Sequence, residues 1–394
     1  MKSLEDLDVK GRTVFVRVDF NVPQDEAGNV RDDTRIRASL PTLNYLLGRG
    51  AKLVLASHLG RPKGFDPKAS LKPVAEKLSE LLGRPVVLAP EVVGPEATRL
   101  KKALQPGDVL LLENVRFHAG ETKNDPALSR ELAEGIDAYV NDAFGSSHRA
   151  HASVVGIAGF VKDCAAGYLL KKEVEALSRA LHSPARPYVA ILGGAKVSDK
   201  IGIIENLLGK ADALLIGGAM AYTFFKALGK GVGRSLVEDD KLDLARTLID
   251  KAKANKVDLE LPVDHVLAAA PDAPEAAGIA ESFPLPENLM AVDIGPKTIA
   301  AYAKVIAGAK TILWNGPLGI FEQKPFSQGT VKIAEAVAAS GAVSIVGGGD
   351  SVSAVKKAGA KDKITHISTG GGASLEFLAD ETLPGLEALG WKKK

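Results

Sequence analysis

Short runs of valine, isoleucine and leucine recur along the chain, separated by longer segments whose apolar residues fall at helical spacing. That alternation is the pattern of parallel α/β architecture. In the first half it predicts strands at TVFVRVD, KLVLAS, VVLA, DVLLLE and DAYVND. In the second half it predicts them at YVAILGG, ALLIGG, DLELP, TILWNG, VSIVGGG and THIST. Most of these runs do not alternate apolar with polar residues, so both faces of each sheet are expected to be covered by helices. One such helix is expected in SLKPVAEKLSELLG, with Ser70 as its cap and Gly83 as its stop. Another is expected to begin near Ser198, carry IGIIENLLGK at helical spacing and end at Gly209-Lys210.

A chain of 394 residues exceeds what one ordinary core accommodates, so two domains are expected. The boundary is placed near YLLKKEVEALSRALHSPARP, where a charged helical stretch separates the two strand series and ends in proline-rich sequence; such a helix is a stiff connector. Ala268 to Asn288, rich in alanine and proline, reads as a surface excursion. No short internal repeat is found, and the chain reads as two doubly wound units in series. Ligands of such sheets gather beyond the carboxyl ends of the strands. The residues just after each strand are therefore the ones to compare.

Composition narrows the class of protein. Hydrophobic residues make up 46% and charged residues 25%, with a net charge of only +2. Acids and bases are interspersed, which argues against a nucleic-acid partner or a polybasic membrane surface. Lys392 to Lys394 read as a solvated tail. The single cysteine, Cys164, excludes an internal disulfide, fits a reducing compartment and is expected to be a small buried hydrophobe. The start MKSLEDLDVK has no signal-peptide character and no apolar run approaches a membrane span, so a cytoplasmic protein is expected.

After the first-half strands come Asp19-Phe20-Asn21, Ser57-His58-Leu59-Gly60-Arg61, Glu113-Asn114-Val115-Arg116 and Asn141-Asp142-Ala143-Phe144, the last leading into His148-Arg149-Ala150-His151. Arg35 and Arg37 fall where DDTRIRASLPTL should open a helix behind an Asp or Thr cap, which puts cations at the positive pole of a helix dipole. Any one of these arginines is accounted for as a surface residue or the partner of a nearby carboxylate. Several of them at strand ends and helix starts in one half point instead to a receptor for a small polyanion, because guanidinium forks suit carboxylate and phosphate groups.

The second-half strands end in glycines: Gly193-Gly194, Gly217-Gly218, Gly316 after Asn315, Gly347-Gly348-Gly349 before Asp350, and Gly370-Gly371-Gly372. Glycine lets a backbone approach a ligand and leaves amide N–H groups to face an anion, although it also serves simply to turn a strand into a helix. Repetition at corresponding places favours a phosphate-bearing ligand. In GGAKVSDK, Lys196 and Lys200 lie at the amino end of the expected helix and oppose its dipole by roughly 0.3–1 kcal/mol. A bound anion would remove that conflict. Asp350 suits an N-cap role or a metal role, and a carboxylate beside phosphates needs a cation between them, usually Mg²⁺.

Other motifs are absent. GIIENLLGKA has the wrong spacing for a Walker A loop, and GGGDSV lacks the last glycine of a dinucleotide fingerprint. His148 and His151 flank Arg149, which would repel a cation, so zinc finds no support. No GxSxG elbow appears.

The fragments VDFNVP, SHLGRP, LLENVRF, NDAFGSSHRAH, LGGAKVSDK, LIGGAM, WNGPLGIFE, VGGGDS and STGGGASLEFL, in that order through nearly the whole chain, closely resemble the phosphoglycerate kinase family. The resemblance implies an α/β fold of two doubly wound Rossmann-like domains with parallel sheets joined by a hinge helix. It places a phosphoglycerate-binding domain at 1–170 with 376–394 returning to it, a hinge at 171–182 and a nucleotide-binding domain at 183–375. It implies reversible transfer of a phosphoryl group from 1,3-bisphosphoglycerate to ADP, giving 3-phosphoglycerate and ATP, with Mg²⁺, in a cytoplasmic monomer. By motif position, Asp19, Phe20, Asn21, Arg35, His58, Leu59, Gly60, Arg61, Arg116 and Arg149 would form the phosphoglycerate site. Lys196, Lys200, Gly217, Gly218, Gly295, Asn315, Pro317, Glu322, Gly348, Gly349, Asp350 and Ser351 would form the nucleotide site, with Asp350 on the metal. Arg35, Lys196, Gly371 and Gly372 would serve the transfer itself. One departure is Ala219, where the family often has a third glycine; its methyl is expected to narrow the base pocket. A non-catalytic nucleotide-binding protein on this scaffold would be expected to lack Lys196, Arg35 or Asp350, and all three are present. A nicotinamide-dependent dehydrogenase is separable by testing for NADH binding.

Overall fold

In the computed structural model, which describes residues 1–380 and 382–393, the apolar runs form strands that stop where the glycines and charged residues begin. The chain divides into two units. The first comprises Met1–Glu175 with the C-terminal segment from Thr382, and the second begins at Ala176.

The first unit holds β1 (Thr13–Arg17), β2 (Lys52–Ala56), β3 (Val86–Leu88), β4 (Val109–Leu111), β5 (Ala138–Asn141) and β6 (Asp163–Ala166), all parallel in the order β3-β4-β2-β1-β5-β6. Every residue of β1 is buried, as a strand covered on both faces requires. Leu43 and Leu46 of helix Thr34–Gly48 and Val74 and Leu78 of helix Lys72–Leu82 pack with Val14, Val16, Leu53 and Leu55 of the sheet. Each such side chain contributes about 1.5–3 kcal/mol by leaving water. The sequence pattern did not predict β6. Its residues DCAA are short and weakly apolar, and they become a strand by pairing with β5. Within it, Cys164 is half-buried rather than buried, its thiol 3.1 Å from the Val161 carbonyl, and burial raises its pKa to about 11.

The second unit holds β7 (Tyr188–Leu192), β8 (Ala213–Ile216), β9 (Asp258–Glu260), β10 (His265–Ala268), β11 (Gly278–Ala280), β12 (Met290–Ile294), β13 (Thr311–Asn315), β14 (Val343–Gly347) and β15 (His366–Ile367). Six of them form a parallel sheet in the order β15-β14-β13-β7-β8-β9. Tyr302 and Ile306 of helix Pro296–Gly308, with Ile333 and Val337 of helix Gln328–Ala339, pack with Val189, Ile191, Ile312 and Trp314. The other three strands form an antiparallel sheet in the order β11-β10-β12. This corrects the expectation of a mere surface excursion from Ala268 to Asn288. β11 is largely exposed, so it lacks the apolar signal by which strands are read.

Helix ends follow local chemistry with small shifts. Gly83 closes helix Lys72–Leu82 at φ 62°, as expected, but Leu71 rather than Ser70 occupies the N-cap. Ser70 accepts from the Lys72 amide at 3.2 Å and donates to Glu113 at 2.7 Å. Near Ser198 a 3-10 turn, Ser198–Lys200, precedes helix Ile201–Leu207. Helix Tyr168–His182 carries the boundary between the units, and its amino end is held by the Asp142 carboxylate, which accepts from the Leu169 amide at 2.9 Å. The returning C-terminal segment starts at Thr382 rather than 376. Helix Gly372–Asp380 stays with the second unit because Asn206 donates to the Leu378 carbonyl at 2.6 Å. Beyond it, the Gly385 amide donates to the Ser147 carbonyl at 2.8 Å in the first unit. Among the described residues no helix is long and apolar enough to cross a membrane.

Candidate functional site

In the second unit the chain runs from β7 to β8 and β9 on one side, then to β13, β14 and β15 on the other. The loops after β7 and β13 therefore diverge, and a crevice opens at the carboxyl ends of the strands. The loops lock together through their backbones: the Gly194 amide donates to Pro317 O at 2.9 Å and the Gly218 amide to Leu318 O at 3.0 Å. A Cβ on Gly316 (φ 95°) would stand 2.1 Å from Gly193 O, and one on Gly218 (φ 69°) would stand 2.6 Å from Gly194 O. At these two positions glycine is required by loop packing, whatever else its amide does.

Two adjoining cavities occupy the crevice. One, of about 590 Å³, is lined by Lys196, Lys200, Asn315, Gly348, Gly349, Asp350, Ser351, Gly371 and Gly372. The other, of about 430 Å³, is mostly apolar and includes Gly218, Tyr222, Met290, Val292, Leu318 and Glu322. Gly194, Ala195, Pro317 and Asp350 belong to both linings. Lys196 is exposed and Lys200 buried. Lys200 Nζ donates to Asn315 Oδ1, and burial lowers the Lys200 pKa to about 8. Asn315 Nδ2 is buried without a hydrogen-bond partner among the described residues. The N-cap reading of Asp350 is overturned: Gly348, at φ 89°, caps helix Gly349–Lys357, and Asp350 stands exposed in its first turn. Ser351 is buried and its hydroxyl accepts from the Gly316 amide at 2.7 Å. Gly217 and Gly295 lie outside both linings, crowded by Leu318 and Asp264 respectively. Ala219 lines the apolar cavity with ordinary helical backbone, φ −64°.

In the first unit, β1 lies between β2 and β5, and its end delivers Asp19, Phe20 and Asn21. Arg35 Nη1 donates to Asp19 Oδ1 at 3.3 Å and to Asn21 O at 3.1 Å. Arg37 is bound to Asp33 at 2.9 Å, the simple ion-pair outcome. Burial works against the Asp19 carboxylate, but His58, Arg35, Arg17 and the Asn21 amide outweigh it and hold its pKa below the usual value. Asn21 Oδ1 accepts from the Gly60 amide at 2.8 Å, and Arg116 Nη1 donates to Gly60 O at 2.6 Å. Phe20 and Leu59 are buried core side chains, so their side chains are not available to a ligand.

Arg61, Arg116 and Arg149, with Lys63 and His118, line a cleft of about 450 Å³. Burial and the neighbouring Arg149, Arg17 and Arg61 lower the Arg116 pKa, and its Nε is buried without a hydrogen-bond partner among the described residues. Such an excess of positive charge calls for an anion. His148 accepts from Arg149 Nε at 3.0 Å, and His151 Nδ1 lies 3.7 Å from the buried Glu121. Among the described residues no group of His, Cys, Asp or Glu is arranged to hold a metal alone. Sequence reasoning missed Arg17, which is fully buried at the end of β1. The available signal was a lone arginine inside the apolar run TVFVRVD.

An arginine-lined anion cleft on one doubly wound sheet, and a lysine-and-amide cavity continuous with an apolar one on another, define a two-unit α/β kinase of small phosphorylated molecules. The family described as Phosphoglycerate kinase matches residues 4–381, and the chain belongs to it. A relative from Anaeromyxobacter dehalogenans, named phosphoglycerate kinase, is 58% identical over 391 residues, covering 98% of this chain and 99% of its own. One of the same name from Solibacter usitatus is 58% identical over 392 residues, 98% of each chain. The solved phosphoglycerate kinase of Coxiella burnetii superposes with a TM-score of 0.88 at 43% identity, covering 99% of this chain and 98% of that one. That of Pyrococcus horikoshii gives 0.83 at 38%, with the same coverage. As a member of the family the protein is a phosphotransferase with a carboxyl group as acceptor and ATP and ADP as co-substrates.

Proposed function

We propose that the two units divide the substrates between them, the first holding the phosphoglycerate and the second the nucleotide. The reaction is the reversible conversion of 1,3-bisphosphoglycerate and ADP to 3-phosphoglycerate and ATP. The observation that carries the division is the continuity of the second unit's two cavities, a polar one sized for phosphates running into an apolar one sized for a base. In this reading Arg61, Arg116 and Arg149 take the phosphate of the glycerate, while Asp19, Asn21, Arg35 and His58 orient its other end. Lys200 and the glycine amides hold the nucleotide phosphates. Pro317 and Glu322 border the base and ribose.

The residues present fit a Mg²⁺ ion shared with the substrate. Asp350 offers one exposed carboxylate in the phosphate cavity, and Mg²⁺ habitually keeps waters and phosphate oxygens as its remaining ligands. Bound there, the ion would neutralise charge on the phosphates. Lys196 and the amides of Gly371 and Gly372 would stabilise the charge spread over the equatorial oxygens of the moving group, which is most of what phosphoryl transfer asks of a protein. No general base is needed, since the acceptor is already an oxyanion. Helix Tyr168–His182 would be the hinge by which the ligands meet and water is excluded. The working form is read as a cytoplasmic monomer.

Calorimetry with each ligand separately tests the division. Arg61→Ala and Arg116→Ala should abolish 3-phosphoglycerate binding and leave ADP binding intact; loss of ADP binding in those variants would overturn it. Small-angle scattering with both ligands should show compaction, and an unchanged radius of gyration would remove the hinge from the account.

A further inference from the structure

Arg17 closes β1 and is fully buried, so it is not placed to touch a ligand as Arg61, Arg116 and Arg149 are. Its donors are used inside the protein. Nε donates to Ser153 Oγ at 2.8 Å, Nη1 donates to the Val18 carbonyl, and Nη2 lies 3.3 Å from Nδ1 of His58. Ser153 in turn donates its hydroxyl to Glu121 Oε1 at 2.6 Å and its amide to Oε2 at 3.0 Å. Glu121 is fully buried. A buried guanidinium and a buried carboxyl group are thus joined through one serine, burial raising the Glu121 pKa against the pull of Arg17 and the Ser153 donors.

A guanidinium can donate but never accept. Nδ1 of His58 must therefore be the acceptor of this contact, which leaves the ring proton on Nε2. Asp19 favours the opposite tautomer electrostatically, because its Oδ1 lies 4.0 Å from the same Nδ1, beyond hydrogen-bond distance but close enough to attract a proton there. Burial, against the pull of Asp19 and with the help of Arg17, lowers the His58 pKa to about 3, so the ring carries a single proton.

We propose that Arg17, held by Ser153 and Glu121, is a positioning residue that fixes His58 as its Nε2–H tautomer and so decides which ring nitrogen donates to the acidic metabolite. This rests on the reading of His58 as a phosphoglycerate contact. Without Arg17 the Asp19 carboxylate would draw the proton to Nδ1, and Nε2 would meet an anionic oxygen with a lone pair.

The test uses the full chain with ¹⁵N-labelled histidine, the His58 signals being assigned from their absence in His58→Ala. In the unliganded wild type Nε2 should be protonated and Nδ1 bare; a proton on Nδ1 there would overturn the proposal. Arg17→Met combined with Glu121→Gln, which leaves neither charge buried alone, should move much of the population to Nδ1–H. An unchanged tautomer in that variant would also overturn it. Ser153→Ala, a milder change, should shift the population in the same direction and carries the test if the double variant does not fold. The KM for 3-phosphoglycerate should rise about tenfold in the double variant with the nucleotide KM unchanged, the loss expected for one hydrogen bond. In a His58→Ala background the same pair of changes should add nothing further. If His58→Ala itself leaves the KM for 3-phosphoglycerate untouched, the site reading fails while the tautomer, read separately by NMR, still stands or falls on its own.

Discussion

The two six-stranded parallel sheets are wound alike, each with a central strand from which the chain departs first to one side and then to the other. Their strand ends nonetheless carry different chemistry. The first sheet presents long charged side chains, arginines with a carboxylate and a buried histidine, whereas the second presents bare backbone with two lysines and one carboxylate. The contrast teaches that winding decides where the strand-end loops gather and the residues after each strand decide what chemistry they present. Arginine forks suit one compact polyanion, and close backbone amides suit a chain of phosphates.

That contrast can be broken most severely at Lys196. Lys196→Ala should lower kcat by about 10²–10³ while the ADP dissociation constant changes only a few-fold, because its charge is needed where charge develops in the transition state. Equal losses in rate and affinity, read by steady-state kinetics and calorimetry, would reduce Lys196 to a binding residue. Asp350→Asn should follow, with kcat about 10–100-fold lower at ordinary magnesium and partly restored by excess, as measured in a Mg²⁺ titration. On the other unit, Arg116→Lys should weaken 3-phosphoglycerate about tenfold and leave ADP unaffected, since an ammonium cannot reproduce a planar fork.

Lys200 sharpens the comparison through pH. Its pKa in the folded protein, about 8, lies below the ordinary lysine value of 10.5. Between those two values the unfolded chain binds the proton and the folded one does not, so this group makes the protein more stable as pH rises from about 8 toward 10.5. Phosphates need the charged form, so ADP affinity should fall across the same rise, and Lys200→Met should flatten that dependence in calorimetry at pH 7 and 9. The smallest effect is expected from Ala219→Gly. Since φ is −64° there, the change relieves no strain and should alter ADP affinity by less than about threefold.

Much of this is legible in the sequence. The apolar runs gave all strands of the second unit's parallel sheet and five of the six in the first, and Gly83 gave the stop of its helix, because burial and left-handed backbone leave direct marks on residue type. β6, β10, β11 and β12 were not legible. β6 and β11 are weakly apolar or exposed, β10 and β12 are short apolar runs flanking an alanine- and proline-rich stretch, and pairing with neighbouring strands makes all four into strands. The cap of helix Gly349–Lys357 was half legible: local chemistry allowed Asp350, and the backbone gave the position to Gly348. The split of the C-terminal region also escaped the sequence, since it depends on which surface helix Gly372–Asp380 finds to pack on.

The site shows the same division. Residue types and their order along the chain determined the winding, the family and the groups proposed to meet an anion, because each of these is written in local pattern and motif. Only the tertiary structure decided that Arg17 is turned inward to Ser153 and His58 and that Lys200 is buried against Asn315. It likewise decided that the side-chain face of Gly217 is closed by Leu318 and that of Gly295 by Asp264. The physical reason is that a side chain's charge state and direction depend on neighbours distant in sequence, through burial and donors that no local pattern records.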